Sequence, residues 1–268
     1  MFFGVSEPAD QAMAQYPCTV QFLDVGKADC ILISCEGSYM LVDAGDVSVT
    51  PQVVEYLQRR GIFRLDYVVA THADDDHIGG MAEVLSRFEV GRFLTPAVAK
   101  EYLPDTPSYQ KLTAVCRENA IRVEHPSPGD EWVLGGMKAQ VLAPLQKYSD
   151  SNNTSLVLKL SYGEKSFLLT GDAEKESEEA MLFAQEDLSA DVLKVGHHGS
   201  ETSSTEPFLD AVKPRYAVIS VGEDRNNLPK DSVLDRLDSI GAQIYRTDFQ
   251  GTVIAATDGD VIEFFTER

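Results

Sequence analysis

The sequence predicts an α+β fold in which two mixed β-sheets pack face to face, with helices on their outer surfaces. Short apolar stretches run in blocks along the 268 residues, and amphipathic stretches separate these blocks. The second half of the chain has the same alternation of predicted strands and helices as the first half, which favours two layered sheets. No low-complexity linker or tandem repeat interrupts the chain. We therefore expect an N-terminal extension, residues 1–17, followed by a single domain, residues 18–268.

The first third of the chain opens with strands. CTVQFLDVG and CILISC alternate about a short turn, and YMLVDAG follows them. TPQVVEYLQRRG is a predicted helix, because Thr50 suits the N-cap, Pro51 the first turn and Gly61 the position past the end. LDYVVA is the next predicted strand, and GGMAEVLSRF begins a helix. GRFLTPA is another strand, and a helix is expected near residues 109–119.

The second half continues the alternation. NTSLVLKLSYGEKSFLLTGDA predicts a hairpin that turns at Gly163 and Glu164. EKESEEAMLFA has the pattern of an amphipathic helix, and ADVLKVG has that of a strand. The remaining predicted elements are EPFLDAV, RYAVISVG, DSVLDRLDSIG, QIYRT and GTVIAATDGDVIEFF.

The charge balance restricts the partners of the protein. With 23 basic and 43 acidic residues, the formal net charge is −20, so the overall field does not attract nucleic acid or anionic membranes. A polyanionic substrate would need local cations, and bound metal ions are the obvious candidates. No stretch approaches the roughly 18 apolar residues of a membrane span. The first residues lack the basic and apolar regions of a signal peptide. We expect a cytoplasmic protein as written, or an extracytoplasmic one if an export signal was removed.

The cysteines leave two alternatives open. The chain contains Cys18, Cys30, Cys35 and Cys116, with no CxxC pair, which argues against a cysteine zinc site. Cys18 and Cys35 flank the opening hairpin and lie opposite each other if its turn is centred between Gly26 and Lys27. Opposed residues can approach to about 4.5 Å between Cα atoms, which a disulfide accepts. Reduced, buried thiols are the favoured interpretation for a cytosolic chain, and a disulfide is favoured for an exported one.

The stretch THADDDHIGG concentrates potential metal ligands after a predicted strand. In an extended segment, residues two apart project to the same side, so His72, Asp74 and Asp76 can converge. The following turn brings in His77, and the two glycines let the backbone leave without crowding the site. Mixed histidine and aspartate ligands suit Zn²⁺, Mn²⁺ or iron better than Ca²⁺ or Mg²⁺ alone. The alternative is a solvated acidic turn with incidental histidines.

Two further strand ends carry the same kind of residue. FLLTGDAE places Asp172 after an apolar strand, and VLKVGHHGSETSS places His197 and His198 after another. Four of the five histidines lie in these clusters. Such strand ends suit a dinuclear site, in which an aspartate bridges two ions about 3.5–4 Å apart. Asp172 could also cap the helix that follows, and that role does not exclude metal binding.

Together, these stretches resemble the metallo-β-lactamase superfamily, and more closely the hydrolase domain of ComEC-type DNA-uptake competence proteins and their stand-alone relatives. The matching stretches are FLDVGKADCILI, LVDAGD, THADDDHIGG, NNTSLVLKLSYGEKSFLLTGD, LKVGHHGS and IYRTDFQGTV, and the resemblance extends over about residues 20–264. It implies a four-layer αββα sandwich with the site at one edge, between the sheets.

The resemblance also implies a ligand set. By position, His72 and Asp74 hold a first ion, Asp76, His77 and His197 hold a second, and Asp172 bridges the two. Asp74 stands where most of the superfamily has histidine, and Asn153 stands where an isolated later histidine is expected. The first site is therefore poor in nitrogen ligands. Because oxygen ligands favour harder ions, Mn²⁺ is expected beside Zn²⁺ as the cofactor.

Several neighbours of these ligands are candidates for catalysis or support. Asp74 or Asp76 could orient the attacking water, and His198 could contact the phosphate, protonate the leaving oxygen or support a ligand. Lys194 and Ser200 could bind phosphate oxygens, although Lys194 is equally compatible with an ordinary strand-end lysine. Support or direct ligation is also expected from Asp24, Asp29, Asp43 and Asn153.

The chain departs from the resembled sequences at two places. A loop that usually reads DVGQGD is DVGKAD here, with Lys27 and Ala28. In RNNLPKD, Leu228 stands where the resembled sequences have a histidine. A histidine that donates a proton or contacts the substrate is therefore missing at this position.

The prediction is a metal-dependent phosphodiesterase or nuclease whose substrate is a phosphodiester, DNA or a nucleotide. Two alternatives remain open: a hydrolase of lactones, thioesters or amides on the same fold, and a metal-bearing binding module with weakened catalysis.

Overall fold

The computed structural model describes residues 8–223 and 225–268. In chain order, the strands of this part are β1 (Cys18–Phe22), β2 (Ile31–Cys35), β3 (Ser38–Val42), β4 (Arg64–Val69), β5 (Glu89–Leu94), β6 (Val123–Glu124), β7 (Glu131–Leu134), β8 (Met137–Ala143), β9 (Val157–Tyr162), β10 (Lys165–Leu169), β11 (Val192–Lys194), β12 (Tyr216–Ile219), β13 (Gln243–Arg246), β14 (Val253–Thr257) and β15 (Ile262–Thr266). The helices are α1 (Pro8–Gln15), α2 (Thr50–Arg59), α3 (Asp75–Ile78), α4 (Met81–Arg87), α5 (Pro107–Glu118), α6 (Lys175–Phe183), α7 (Glu206–Val212), α8 (Asp231–Ser239) and α9 (Thr247–Gln250).

The strands form two mixed sheets, as the sequence predicts. Over the described ranges, one sheet has eight strands in the order β15-β14-β1-β2-β3-β4-β5-β6, and the other has seven in the order β13-β12-β11-β10-β9-β8-β7. In the first sheet, pairing is antiparallel from β15 to β3 and parallel from β3 to β6. In the second, it is antiparallel from β7 to β10 and parallel from β10 to β13. The two halves therefore have the same mixed pattern.

Three apolar clusters hold four layers together. The central one lies between the sheets and includes Val20, Ile33, Leu158 and Phe167, all fully buried. A second cluster packs α2, α4 and α5 against the first sheet, and a third packs α6, α7 and α8 against the second. The predicted αββα sandwich is confirmed.

Two local predictions can be compared with the structure. The hairpin predicted to turn at Gly163 and Glu164 does so, since Tyr162 pairs with Lys165 across β9 and β10. Thr50, expected as the N-cap of α2, is instead its first helical residue, because a short 3₁₀ turn precedes the helix and Val49 takes the cap position.

The N-terminal extension is described in part. Residues 1–7 lie outside the described residues. In α1, Ala12 is buried in a small cluster with Ile254 and Ala256 of β14. Tyr16 packs edge-on against Phe265, with ring centroids 6.1 Å apart. Residues 8–16 thus lie against the first sheet, and the domain boundary at residue 18 stays a prediction.

The loops that follow several strands meet at one edge of the sandwich. The parallel strands β10, β11 and β12 end side by side, and each continues into a loop with polar residues. β4 of the other sheet ends at Val69, and its following loop reaches the same edge. There the Leu156 amide, just before β9, donates to the Thr71 carbonyl at 2.9 Å and joins the two sheets.

No helix in the described part of the chain has the length and apolar character needed to cross a bilayer.

The opening hairpin has the predicted register. Cys18 lies directly opposite Cys35 on β1 and β2, and the structure joins the two by a disulfide, both side chains being fully buried. The interpretation favoured for a cytosolic chain, two reduced thiols, is therefore not the arrangement found. Opposed positions on paired antiparallel strands bring the two side chains together. Cys30 and Cys116 are free and buried.

We expect two free thiols per chain when unreduced protein, purified under oxidising conditions, is denatured and labelled. The reactive pair should be Cys30 and Cys116, which peptide mapping identifies. Denaturation is needed because burial raises the pKa of the Cys30 thiol well above its usual value. The bridge spans 17 residues, so removing it with a C18A/C35A double variant should lower unfolding stability by about 3 kcal/mol. Four labelled thiols would contradict the bridge.

Candidate metal centre

The first group of candidate ligands lies on a short loop and a single helical turn after β4. His72 and Asp74 belong to the loop, and Asp76 and His77 belong to α3. Two backbone hydrogen bonds hold this turn against the first sheet. The Asp29 amide donates to the Asp76 carbonyl at 3.1 Å, and the Ala44 amide donates to the His77 carbonyl at 2.8 Å. The ligand positions are thus fixed by the backbone.

Four residues converge from three strand ends. Asp76, His77, Asp172 and His198 each offer one ligand atom, and these atoms lie within 4.8 Å of one another. Asp172 lies between two histidines, because its Oδ1 is 3.3 Å from His77 Nε2 and its Oδ2 is 3.5 Å from His198 Nε2. Asp76 Oδ2 closes the group at 3.4 Å from His198 Nε2. We call these four residues the Asp172 cluster.

The histidine rings are oriented through their Nδ1 atoms. His198 Nδ1 donates to the Ser220 carbonyl at 2.8 Å, which fixes its tautomer and leaves the lone pair on Nε2. His77 Nδ1 lies 2.8 Å from Asp43 Oδ2, and His72 Nδ1 lies 3.1 Å from Thr71 Oγ1. A hydrogen bond on one ring nitrogen is the usual arrangement for a histidine whose other nitrogen binds a metal.

The inward-facing atoms fit a divalent cation. The Nε2 atoms of His72, His77 and His198 are buried and have no hydrogen-bond partner in the described ranges, and Asp172 Oδ1 is in the same situation. Buried polar atoms are rarely left unpaired in native proteins. Imidazole nitrogens and carboxylate oxygens around one point are suited to zinc or manganese. The residues present therefore fit the implied metal.

A further pair of candidate ligands, His72 and Asp74, lies beside the Asp172 cluster. The His72 and His77 rings are 4.1 Å apart between centroids, and His72 Nε2 lies 3.7 Å from Asp74 Oδ2. Asp74 is 42% exposed, so it forms the open side of this pair. Asn153, a candidate ligand or supporting residue, uses its side-chain oxygen elsewhere: Oδ1 accepts hydrogen bonds from the Glu174 and Ser177 amides at 3.1 Å. Its oxygen is thereby engaged at the start of α6.

The two consecutive histidines exchange their predicted positions. His197 is the predicted ligand of the second ion, but the structure places His198 in the Asp172 cluster. Both residues have positive φ, 47° and 52°, and this turn directs the two rings differently. His197 is partly exposed, with Nδ1 3.0 Å from Glu174 Oε1 and Nε2 3.8 Å from Asp172 Oδ2. His197 thus lies at the margin of the centre, and which of the two histidines binds metal stays a prediction.

The predicted phosphate contact of Lys194 requires correction. Lys194 is fully buried, its Nζ lies 2.8 Å from Asp29 Oδ2, and it donates to the Val195 carbonyl at 2.9 Å. An ammonium group enclosed in this way neutralises Asp29 and does not face a substrate. Ser200 is partly buried, and its Oγ lies 3.0 Å from Thr202 Oγ1.

The three candidate supporting aspartates lie in different places. Asp43 is fully buried and orients His77, as described above. Asp29 Oδ1 lies 3.9 Å from His198 Nδ1, so it flanks the centre. Asp24 is turned to the surface, where it forms an ion pair with Arg268. Only Asp29 and Asp43 therefore adjoin the Asp172 cluster.

The histidines and carboxylates of the centre stabilise each other's charged forms. Burial alone would raise the pKa of Asp172, but His198 and His77 hold it well below its usual value. Burial likewise opposes ionisation of Asp76, but the hydrogen bond with His198 and the charges of His77 and His198 together hold its pKa well below its usual value. Burial would lower the pKa of His77, but Asp172 and Asp43 raise it well above the usual value. At neutral pH the carboxylates are ionised and attract cations.

Sequence reasoning missed two residues at this centre. Glu174 contacts His197, and the only signal was an acidic residue two positions after Asp172. Lys27 Nζ lies 2.5 Å from Asp76 Oδ2. Its signal was the unusual DVGKAD loop, to which no role had been attached.

Comparison with known proteins identifies the family. The family model described as the metallo-beta-lactamase superfamily matches residues 23–223. The chain belongs to this superfamily. It is 32% identical to ComE operon protein 3 of Bacillus subtilis, over 89% of this chain and 33% of that protein. It is also 32% identical to Recombination protein 2 of Haemophilus influenzae, over 93% of this chain and 29% of that protein.

A third relative is Competence protein ComA of Neisseria gonorrhoeae, which is 29% identical over 91% of this chain and 33% of that protein. The predicted resemblance to competence proteins of this superfamily is confirmed. The chain spans only about a third of the length of these curated relatives.

Solved structures agree on the fold. The diiron β-hydroxylase CmlA of Streptomyces venezuelae matches with a TM-score of 0.61 at 14% identity, over 90% of this chain and 54% of that one. The metallo-beta-lactamase fold protein YhfI of Bacillus subtilis matches with a TM-score of 0.60 at 12% identity, over 88% of this chain and 99% of that one.

We expect H198A to weaken metal binding more than H197A, because His198 lies within the Asp172 cluster and His197 at its margin. Calorimetric titration of metal-free protein with Mn²⁺ and Zn²⁺ measures both variants. Loss of a ligand should exceed the roughly 10–100-fold loss that follows removal of an outer supporting partner. H125A is the control, since His125 is exposed and bonds only the Thr95 carbonyl in the described contacts. A larger effect of H197A would restore the original ligand prediction.

Proposed function

We propose that this chain is a metal-dependent phosphodiesterase or nuclease with two divalent ions. The observation that carries the proposal is the set of buried, unpartnered ligand atoms on His72, His77, His198 and Asp172. Asp172 Oδ1 lies 3.3 Å from His77 Nε2, and the His77 and His72 ring centroids are 4.1 Å apart, so this carboxylate lies near both groups of candidate ligands, as sharing within a dinuclear centre requires.

The chain offers two groups of ligands for these ions. The Asp172 cluster would hold one ion, and His72 with Asp74 would hold the other, with Asp172 between them. This assignment uses three carboxylates and three imidazoles. Such a balanced set is compatible with Mn²⁺ as well as Zn²⁺, because the aspartates add hard oxygen ligands.

In the proposed hydrolysis, the metal ions and the side chains of this chain have different roles. Ions held in such a centre would activate a water and polarise a non-bridging oxygen of the phosphodiester, so that the water could attack phosphorus and displace the leaving oxygen. Asp74 is partly open to solvent. Burial opposes its ionisation, but the hydrogen bond and charge of His72, with a hydrogen bond from Ser151, together lower its pKa and keep it ionised. Asp74 can therefore orient the attacking water as a hydrogen-bond acceptor. Asp76, which interacts with His198, is better placed to bind metal.

We favour phosphodiesters as the substrates because of the names of the relatives. The names of two of them refer to competence and recombination, which involve DNA, although this chain spans only about a third of each protein. Leu228 packs against the core behind the second sheet, so it supplies no proton to a leaving group. This favours esters with good leaving groups, or a proton supplied by solvent.

The direct test uses protein stripped with EDTA and restored with Mn²⁺ or Zn²⁺. We expect metal-dependent hydrolysis of bis-p-nitrophenyl phosphate and cleavage of linear DNA. A panel of lactones, thioesters and amides is tested in parallel. Turnover of that panel without phosphodiester cleavage would favour the other hydrolase class. Tight metal binding with no turnover of any ester would favour a binding module.

We expect D172N and H77A to lose more than about 100-fold of the metal-dependent activity, because each removes a ligand from the shared cluster. Both variants should keep the wild-type circular dichroism spectrum, since the ligand loops are held by backbone hydrogen bonds. Metal analysis accompanies the assay. Full activity with unchanged metal content in either variant would exclude the dinuclear assignment.

We expect D74H to move the metal preference toward Zn²⁺, because an imidazole replaces a carboxylate. The ratio of Mn²⁺-supported to Zn²⁺-supported activity measures this effect, and calorimetry of both ions gives it without turnover. D66N is a control, since Asp66 lies on β4 and bonds the Tyr39 amide. An unchanged ratio in D74H would show that Asp74 does not bind the ion.

A further inference from the structure

We propose that Lys27 is the residue that binds and positions the substrate anion at the metal centre. Its ammonium group would contact a phosphate oxygen beside the Asp172 cluster. This role deepens the proposed phosphodiesterase function and rests on it.

The position of Lys27 is the first support. Its Nζ lies 2.5 Å from Asp76 Oδ2, and the same oxygen is 3.4 Å from His198 Nε2. The ammonium group is therefore a direct neighbour of the candidate ligands. The Lys27 and Asp76 side chains are 24% and 22% exposed, so this contact is on the open side of the centre.

The loop that carries Lys27 is closely held. The Leu23 amide donates to the Cys30 carbonyl at 3.0 Å at the base of the loop, and the Ala28 amide donates to the Gly26 carbonyl at 2.9 Å. Gly222, after β12, touches this loop so closely that a Cβ there would lie 2.6 Å from Gly26 Cα. The backbone at Lys27 is thus fixed, and only its flexible side chain has to adjust to a ligand.

The charge distribution gives this lysine its function. The centre is rich in ionised carboxylates, and the whole protein carries a formal charge of −20, which repels an anionic ester. Lys194 is fully buried and neutralised by Asp29, so it offers nothing to a substrate. Lys27 brings a positive charge to the partly exposed side of the cluster. A lysine on a four-carbon stem binds a phosphate oxygen as a mobile point charge.

The contact with Asp76 is consistent with this role. A divalent ion at the Asp172 cluster would compete with the ammonium group for the Asp76 carboxylate. With the metal ion bound to Asp76, the Lys27 ammonium group would contact the phosphate of a bound phosphodiester. The proposal therefore predicts that neutralising Lys27 weakens anion binding but does not weaken metal binding.

The experiment compares wild type with K27Q, K27M and K27R after metal restoration. Calorimetry measures the dissociation constants of inorganic phosphate and of the metal, and steady-state assays give kcat and KM for bis-p-nitrophenyl phosphate. K138Q is the matched control, because Lys138 also forms an ion pair, 2.7 Å from Glu131, and lies at the far end of β8.

We expect K27Q and K27M to weaken phosphate binding about tenfold or more, as loss of a hydrogen bond to a charged group does. KM should rise more than kcat falls, and metal affinity should be unchanged or tighter. K27R should keep phosphate affinity within about threefold, because it keeps the charge. K138Q should behave as wild type.

Wild-type phosphate affinity in both K27Q and K27M would overturn the proposal, as would the absence of phosphate binding to metal-loaded wild type. A loss of metal affinity in these variants would also overturn it, since Lys27 would then support the metal ligands. Lys27-dependent phosphate binding without phosphodiester hydrolysis would uphold this assignment while rejecting the proposed activity.

Discussion

The buried carboxylate of Asp43 is the constraint on which the ligand geometry depends. It accepts hydrogen bonds from the Thr71 amide at 2.8 Å and the Thr71 hydroxyl at 2.7 Å, and it lies 2.8 Å from His77 Nδ1. Asp43 follows β3 with a φ of 58°, a left-handed conformation that aspartate tolerates better than most residues. One side chain therefore ties the end of β3 to the ligand loop after β4. The neighbouring Thr71 carbonyl links that loop to the second sheet.

A second constraint is electrostatic. Asp29, Asp76 and Asp172 lie close together, and burying ionised carboxylates is costly unless cations or hydrogen bonds compensate. In the structure, Lys194 and Lys27 provide two of these cations. They differ in access, because Lys194 is enclosed and Lys27 is partly open. The enclosed lysine balances a permanent charge, whereas the open one can exchange partners. A bound metal ion would add positive charge where several acceptor atoms already converge.

Much of the fold was predictable because most strands have a local sequence signal. Apolar runs and turn residues depend on neighbours in sequence, so they located the strands, the Gly163 turn and the Cys18–Cys35 register. The order of strands within each sheet and the state of the cysteines depend on distant packing and on oxidation, which spacing alone does not determine. At the centre, residue types and strand ends indicated the loops that carry the candidate ligands, and the structure brings these loops together. Which consecutive histidine faces inward depended on two left-handed residues, and the sequence carries no clear signal for that conformation in a histidine.

The same reasoning explains why the sequence left the role of Lys194 open and indicated none for Lys27. Lys194 sits beside a ligand motif in sequence, but it ends a central strand, and its side chain enters a buried space next to Asp29. Lys27 is far from the ligand loop in sequence, yet backbone pairing between Asp29 and Asp76 brings its loop against the centre. Sequence proximity to a ligand therefore did not predict access to substrate. Access follows from whether a cation lies inside the packed edge of the sheets or on its open side. That distinction is why we propose Lys27, and not Lys194, as the lysine that meets an anionic ester.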